Sequence, residues 1–97
     1  MATYILIGNL TEQGIRNAKE SPKRKEALKE MATKLGATVK SVYWTLGQYD
    51  IVLTVEAPDD FVAAALGLSL GKQGNVRTHT LRAFDAAEAT TLLGKTI

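Results

Sequence analysis

Thr38-Val39-Lys40-Ser41-Val42-Tyr43-Trp44-Thr45-Leu46, then Gly47-Gln48-Tyr49-Asp50, then Ile51-Val52-Leu53-Thr54-Val55: this stretch decides the fold. Both flanks are dense in β-branched and aromatic side chains, which fit a pleated, half-buried surface. The residues between them are turn formers. So short a connection makes the two strands an antiparallel hairpin. The second strand is apolar at nearly every position, so both of its faces call for cover.

Upstream of the hairpin, Leu28, Met31, Ala32 and Leu35 recur at helical spacing, which predicts a helix with one buried face over roughly residues 22–35. Ser21 is the expected N-cap and Pro22 the first helical residue, where a missing N–H costs nothing. Gly36 stands where a left-handed C-cap is expected. Before that helix, Thr11-Glu12-Gln13-Gly14 reads as a turn or single helical turn, with Ile15 and Ala18 as its apolar contacts. Tyr4-Ile5-Leu6-Ile7, bounded by Gly8-Asn9, predicts a strand from Thr3 to Asn9. It is apolar on both faces, the mark of a central strand.

Downstream, Ala57-Pro58-Asp59-Asp60 opens a second helix, with proline and two carboxylates at the positive end of the helix dipole. Phe61, Ala65 and Leu68 share one row, with Val62, Leu66 and Leu70 beside it, and the small residues Ala63, Ala64 and Gly67 permit close packing. Gly71 to Asn75 ends that helix. Val76 to Phe84 is the fourth strand, and Asp85 with Glu88 has capping-box spacing for a last helix carrying Leu92 and Leu93. The order is β-α-β-β-α-β plus a terminal helix. It predicts an α+β, ferredoxin-like fold in a single domain over residues 1–97.

Composition bounds the function. Hydrophobic residues make up 45% of the chain and charged residues 23%, ordinary values for a folded domain. There is no cysteine, which removes disulfides, thiolate metal sites and a cysteine nucleophile, and suits the cytoplasm. Met1-Ala2-Thr3-Tyr4 has no basic leader, so no secretory signal is expected. The longest apolar run, Phe61 to Leu70, is about half of what a membrane span needs. A net charge of +2 implies no nucleic-acid partner without a concentrated patch. Lys19, Lys23, Arg24, Lys25 and Lys29 are interleaved with Glu20, Glu26 and Glu30, so they line a solvated helix face.

Gly47-Gln48-Tyr49-Asp50, Gly74-Asn75-Val76-Arg77-Thr78 and Thr80-Leu81-Arg82-Ala83-Phe84 resemble the GYD-domain family, as do Thr11 to Ile15 and Ser21 to Arg24. The resemblance spans essentially the whole chain. It implies a dimeric α+β barrel, two ferredoxin-like sheets packed face to face. It implies no reaction, because the family has no settled activity; its wider structural kin include cofactor-free monooxygenases, isomerases, haem enzymes and sensory modules, and fold does not carry function.

His79, the one histidine, can serve as acid, base or axial ligand near neutral pH. Tyr49 and Asp50 offer a phenol and a carboxylate for proton transfer, although turn chemistry accounts for their spacing without a ligand. Arg77 can clamp an anion and lies on the same strand face as His79, Leu81 and Ala83, opposite Arg82. A pocket between sheet and helices would then hold a charged head at Arg77 and an apolar body beyond it. Tyr43 and Trp44 are aromatic walls for such a pocket, but as neighbours they point to opposite faces. No metal site and no cofactor are expected. Two readings follow. One is a small homo-oligomeric binding or sensory module for an anionic or aromatic metabolite. The other is a cofactor-free enzyme of monooxygenase or isomerase type. The homodimer rests on the strands: helices enough for one sheet face leave the other needing a partner.

Overall fold

The computed structural model describes every residue from Met1 to Ile97. In chain order it contains strand β1 (Ala2–Leu10), the short helix α1 (Glu12–Arg16), helix α2 (Ser21–Leu35), strands β2 (Thr38–Trp44) and β3 (Ile51–Ala57), helix α3 (Asp60–Lys72), strand β4 (Val76–Ala83) and helix α4 (Ala86–Gly94). The strands form one antiparallel sheet in the order β2-β3-β1-β4. The two most apolar strands take the centre. This is the α+β, ferredoxin-like arrangement that the sequence pattern predicts.

Helices α2 and α3 lie on one face of the sheet. There Tyr4, Leu6, Leu53, Val55 and Ala57 meet Leu28, Ala32, Ala63, Leu66 and Leu70 in a single core. Leu6, Leu53, Leu66 and Val55 are fully enclosed, and each large apolar side chain so buried stabilises the fold by about 1.5–3 kcal/mol. No helix is long and apolar enough to cross a membrane.

Local details depart from the sequence expectation for identifiable reasons. Ser21 is not an N-cap, because α2 runs straight out of a 3-10 turn at Ala18–Glu20. The Ser21 backbone N–H is already bonded to the Ala18 carbonyl, and the Ser21 hydroxyl instead accepts from Arg24 at 3.0 Å. Gly36 does close α2 in the left-handed region, at φ 89°. In α1 the residue turned inward is Gly14, not Ile15, which is 62% exposed, and Ala18 is exposed too. Gly14 lies against the Asn75 main chain so closely that a Cβ would stand 1.9 Å from the Asn75 oxygen. Only glycine fits there.

Phe61 and Leu68 also sit differently from the expected packed row. They are 85% and 76% exposed, while Ala63, Leu66 and Leu70 face the sheet. From Phe61 to Gly71 the helix has no charge, so its periodicity does not mark an inner face. Strand β2 is two residues shorter than predicted and carries a bulge at Lys40, between the pairs Val39–Val55 and Ser41–Thr54. Helix α4 has the expected capping box between Asp85 and Glu88, but none of its residues is buried.

Candidate binding surface

The register of the sheet defines the face that the helices leave bare. Residues of β1 alternate: Tyr4, Leu6 and Gly8 are buried under the helices, so Ile5, Ile7 and Asn9 point the other way. Their cross-strand partners line up in rows. His79, Ile7, Val52 and Tyr43 form one row across all four strands. Leu81, Ile5, Thr54 and Ser41 form the next. Ile5, Ile7 and Val52 are half-buried, while Tyr43 and Leu81 are 63% and 44% exposed. The face has an apolar centre with polar ends. The Ser41 and Thr54 hydroxyls bond at 2.5 Å, and Lys40 stands 3.9 Å from Glu56.

The candidate residues are therefore dispersed. His79 and Tyr43 share a row but sit on opposite edge strands, three strand spacings or about 14 Å apart. Arg77 lies one row beyond His79, beside Asn9, on the face turned away from the helices. The expected pocket between sheet and helices is therefore built differently: Thr78 and Thr80 line the groove between α3 and β4, which meets Arg77 only at its edge and takes in none of His79, Leu81 and Ala83. Trp44 is on the helix side, opposite Ile51.

Tyr49 and Asp50 hold the hairpin to the centre of the sheet. The Asp50 carboxylate accepts the Leu10 N–H at 2.9 Å, and the Asp50 N–H donates to the Gly8 carbonyl at 2.9 Å. The Tyr49 carbonyl accepts from the Thr45 hydroxyl at 2.6 Å, while Gly47 takes a φ of 113° that favours glycine. The signature thus closes a turn and ties β3 to the end of β1.

Trp44 walls a cleft of about 60 Å³ between the sheet and α2, floored by Leu28, Val42, Ile51 and Leu70, with Arg24 and Lys25 at its mouth. The sequence reading places those two cations on a solvated face. No sequence signal marks them, because Arg24 is held there by bonds to the Asn17 carbonyl at 3.2 Å and the Ser21 hydroxyl at 3.0 Å that exist only in the folded turn before α2.

Arg82 is on the helix side of β4, 4.6 Å from the Phe84 ring centre, 5.7 Å from that of Tyr4 and 3.1 Å from Glu88. Glu88 accepts the Asp85 N–H as well. That bond first, and the Arg82 guanidinium second, hold its carboxyl below the ordinary value. The Tyr4 phenol is raised above its ordinary value, chiefly by its bond to Asp60.

The GYD-domain model matches residues 4–93, which takes in every strand and helix of the sheet and the clasp built by Gly47, Tyr49 and Asp50. The chain belongs to the GYD-domain family. A relative from Thermus thermophilus, named glutamine synthetase and cystathionine beta-lyase binding protein, is 37% identical to this GYD domain over 89 residues. The match covers 91% of this chain and 94% of the relative. The crystal structure of TTHA0845, also from Thermus thermophilus, superposes with a TM-score of 0.55 at 28% identity, covering 89% of this GYD domain and 96% of that chain.

Proposed function

We propose that this GYD domain is a non-enzymatic binding module that works in the cytoplasm as a homodimer and takes another protein as its target. The observation that carries the reading is the bare sheet face. Ile5, Ile7 and Val52 lie at the centre of a sheet covered by helices on one side only, and a second copy of the same face is the simplest cover. A protein target is supported by the name of the Thermus relative. It is supported also by the shape of the surface: the enclosed Trp44 cleft is only about 60 Å³, below the roughly 300 Å³ at which small-molecule sites begin, and the larger groove between α3 and β4 is open to solvent. The lack of cysteine fits a reducing compartment.

Catalysis by His79 with Tyr49 and Asp50 has less support, because the Asp50 carboxylate is occupied by Leu10 and lies two strands away from β4. A metabolite remains the second reading. Pairing of two bare faces would enclose His79, Arg77 and Tyr43 beside an apolar floor, and Trp44 with Arg24 and Lys25 offers an aromatic and cationic cleft.

Light scattering tests the dimer: a stable monomer at micromolar concentration removes it. Calorimetric titration with glutamine synthetase and cystathionine β-lyase from the same organism tests the target, with micromolar or tighter binding to either one expected. Failure of both, with a small molecule retained in native mass spectrometry, replaces the protein target with the metabolite.

A further inference from the structure

Two apolar surfaces remain uncovered away from the bare sheet face. The outer side of α3 presents Phe61, Ala64, Leu68 and Gly71 to solvent, a helical stripe at spacings of three and four. Beside it an open groove of about 700 Å³ runs between α3 and β4, floored by the small side chains of Ala64, Gly67, Thr78 and Thr80. Helix α4 is the other surface. Leu92 and Leu93 are 48% and 68% exposed, and no residue of α4 is buried. Its direction is nevertheless fixed. The capping box at Asp85 and Glu88 and the Arg82–Glu88 bond span the two-residue link from β4. A helix this short does not hold itself in water without packing.

We propose that α4 of one protomer docks against the α3–β4 groove of a second copy, antiparallel to α3. The charges match in that sense. The groove ends at Lys72, and the first turn of α4 brings Asp85 and Glu88. Antiparallel alignment also sets the two helix dipoles in opposition, the favourable arrangement. Both helices rise about 1.5 Å per residue, so with Glu88 level with Lys72, Leu93 comes level with residues 67 and 68. The Leu93 side chain then covers Leu68, and the small residues of the groove let the backbones approach. This contact is separate from pairing through the bare sheet face and does not depend on it.

The chain has no cysteine, so introduced thiols report cleanly. The variants Leu68→Cys and Leu93→Cys are prepared separately, mixed and oxidised. A covalent dimer is expected from the mixture, at several times the yield from either variant alone, and it should be lost when Lys72→Glu is added to the Leu68→Cys chain. Both leucines are exposed in the single chain, so neither change burdens the core. Equal yields with and without mixing, or no linked dimer at all, overturn the proposal. So does a double variant, Leu68→Cys with Leu93→Cys, that links only within one chain. Hydrogen exchange on the unmodified protein gives a second reading: residues 61–71 and 86–94 should lose protection together on dilution, and exchange of α4 independent of concentration counts against the contact.

Discussion

The Tyr4 hydroxyl donates to the Asp60 carboxylate at 2.5 Å, tying the first strand to the first turn of α3 across 56 residues of chain. The phenol ring is buried in the core while Asp60 reaches solvent. Tyr4→Phe keeps the ring and removes the bond. It should cost about 1 kcal/mol, the usual net worth of one hydrogen bond, measured as a shift in the urea midpoint with the slope unchanged.

The same bond has a pH signature. The folded phenol is raised above its ordinary value of 10.0, first by the bond to Asp60. The folded chain therefore holds this proton more tightly than the unfolded chain. Its stabilising contribution is complete below the unfolded value and is lost as pH rises through the folded one. Ultraviolet titration should show one tyrosine ionising above the others, and Tyr4→Phe should remove that late step.

Glu88 gives the opposite sign. Its carboxyl is lowered by the Asp85 N–H and by Arg82, so its contribution is present above the unfolded value and lost as pH falls through the folded one. Glu88→Ala removes the N3 half of the capping box and the Arg82 bond and should fray the first turn of α4 at neutral pH. Faster hydrogen exchange of the amides from Ala86 to Thr90, with β1 and β3 unchanged, is the expected result.

Asp50 separates a clasp from a site. Asp50→Ala leaves the Leu10 N–H without its acceptor and should cost about 1–3 kcal/mol. Asp50→Asn keeps an acceptor oxygen and should recover most of that stability. If Asp50→Asn melts with the parent protein, the residue is a hydrogen-bond acceptor for the fold. A melting temperature as low as that of Asp50→Ala would contradict this.

Arg77 is exposed and forms no ion pair within its own chain. Arg77→Ala should change stability by less than about 0.5 kcal/mol, as for other surface positions. Ile7→Glu places a charge in the centre of the bare sheet face and should shift the light-scattering mass toward the monomer, whereas Arg77→Ala should not.

The strand order, both long helices and the last capping box were legible, because period, turn residues and caps all point the same way from Thr38 to Val55 and from Asp85 to Glu88. Three things were hidden. The outward face of α3 was, because a helix without charges from 61 to 71 presents no polar side to read. The inward turn of Gly14 was, because it depends on the Asn75 main chain, far along the sequence. The clasp role of Asp50 was legible only as general turn chemistry, since its acceptor bond runs to Leu10, a partner set by sheet register.

The bulge at Lys40 sets more than a local bend. Without the extra residue, every side chain of β2 beyond it would change sides, Tyr43 entering the core and Trp44 joining the bare face. The bulge also interrupts the free hydrogen-bonding edge of β2 and places a charged side chain there, both of which discourage another strand from adding on. Edge-to-edge growth of this sheet is thereby disfavoured on one side, and chains joined through β4 alone would stop at two. The lysine at the bulge thus weighs against growth of this sheet through its β2 edge.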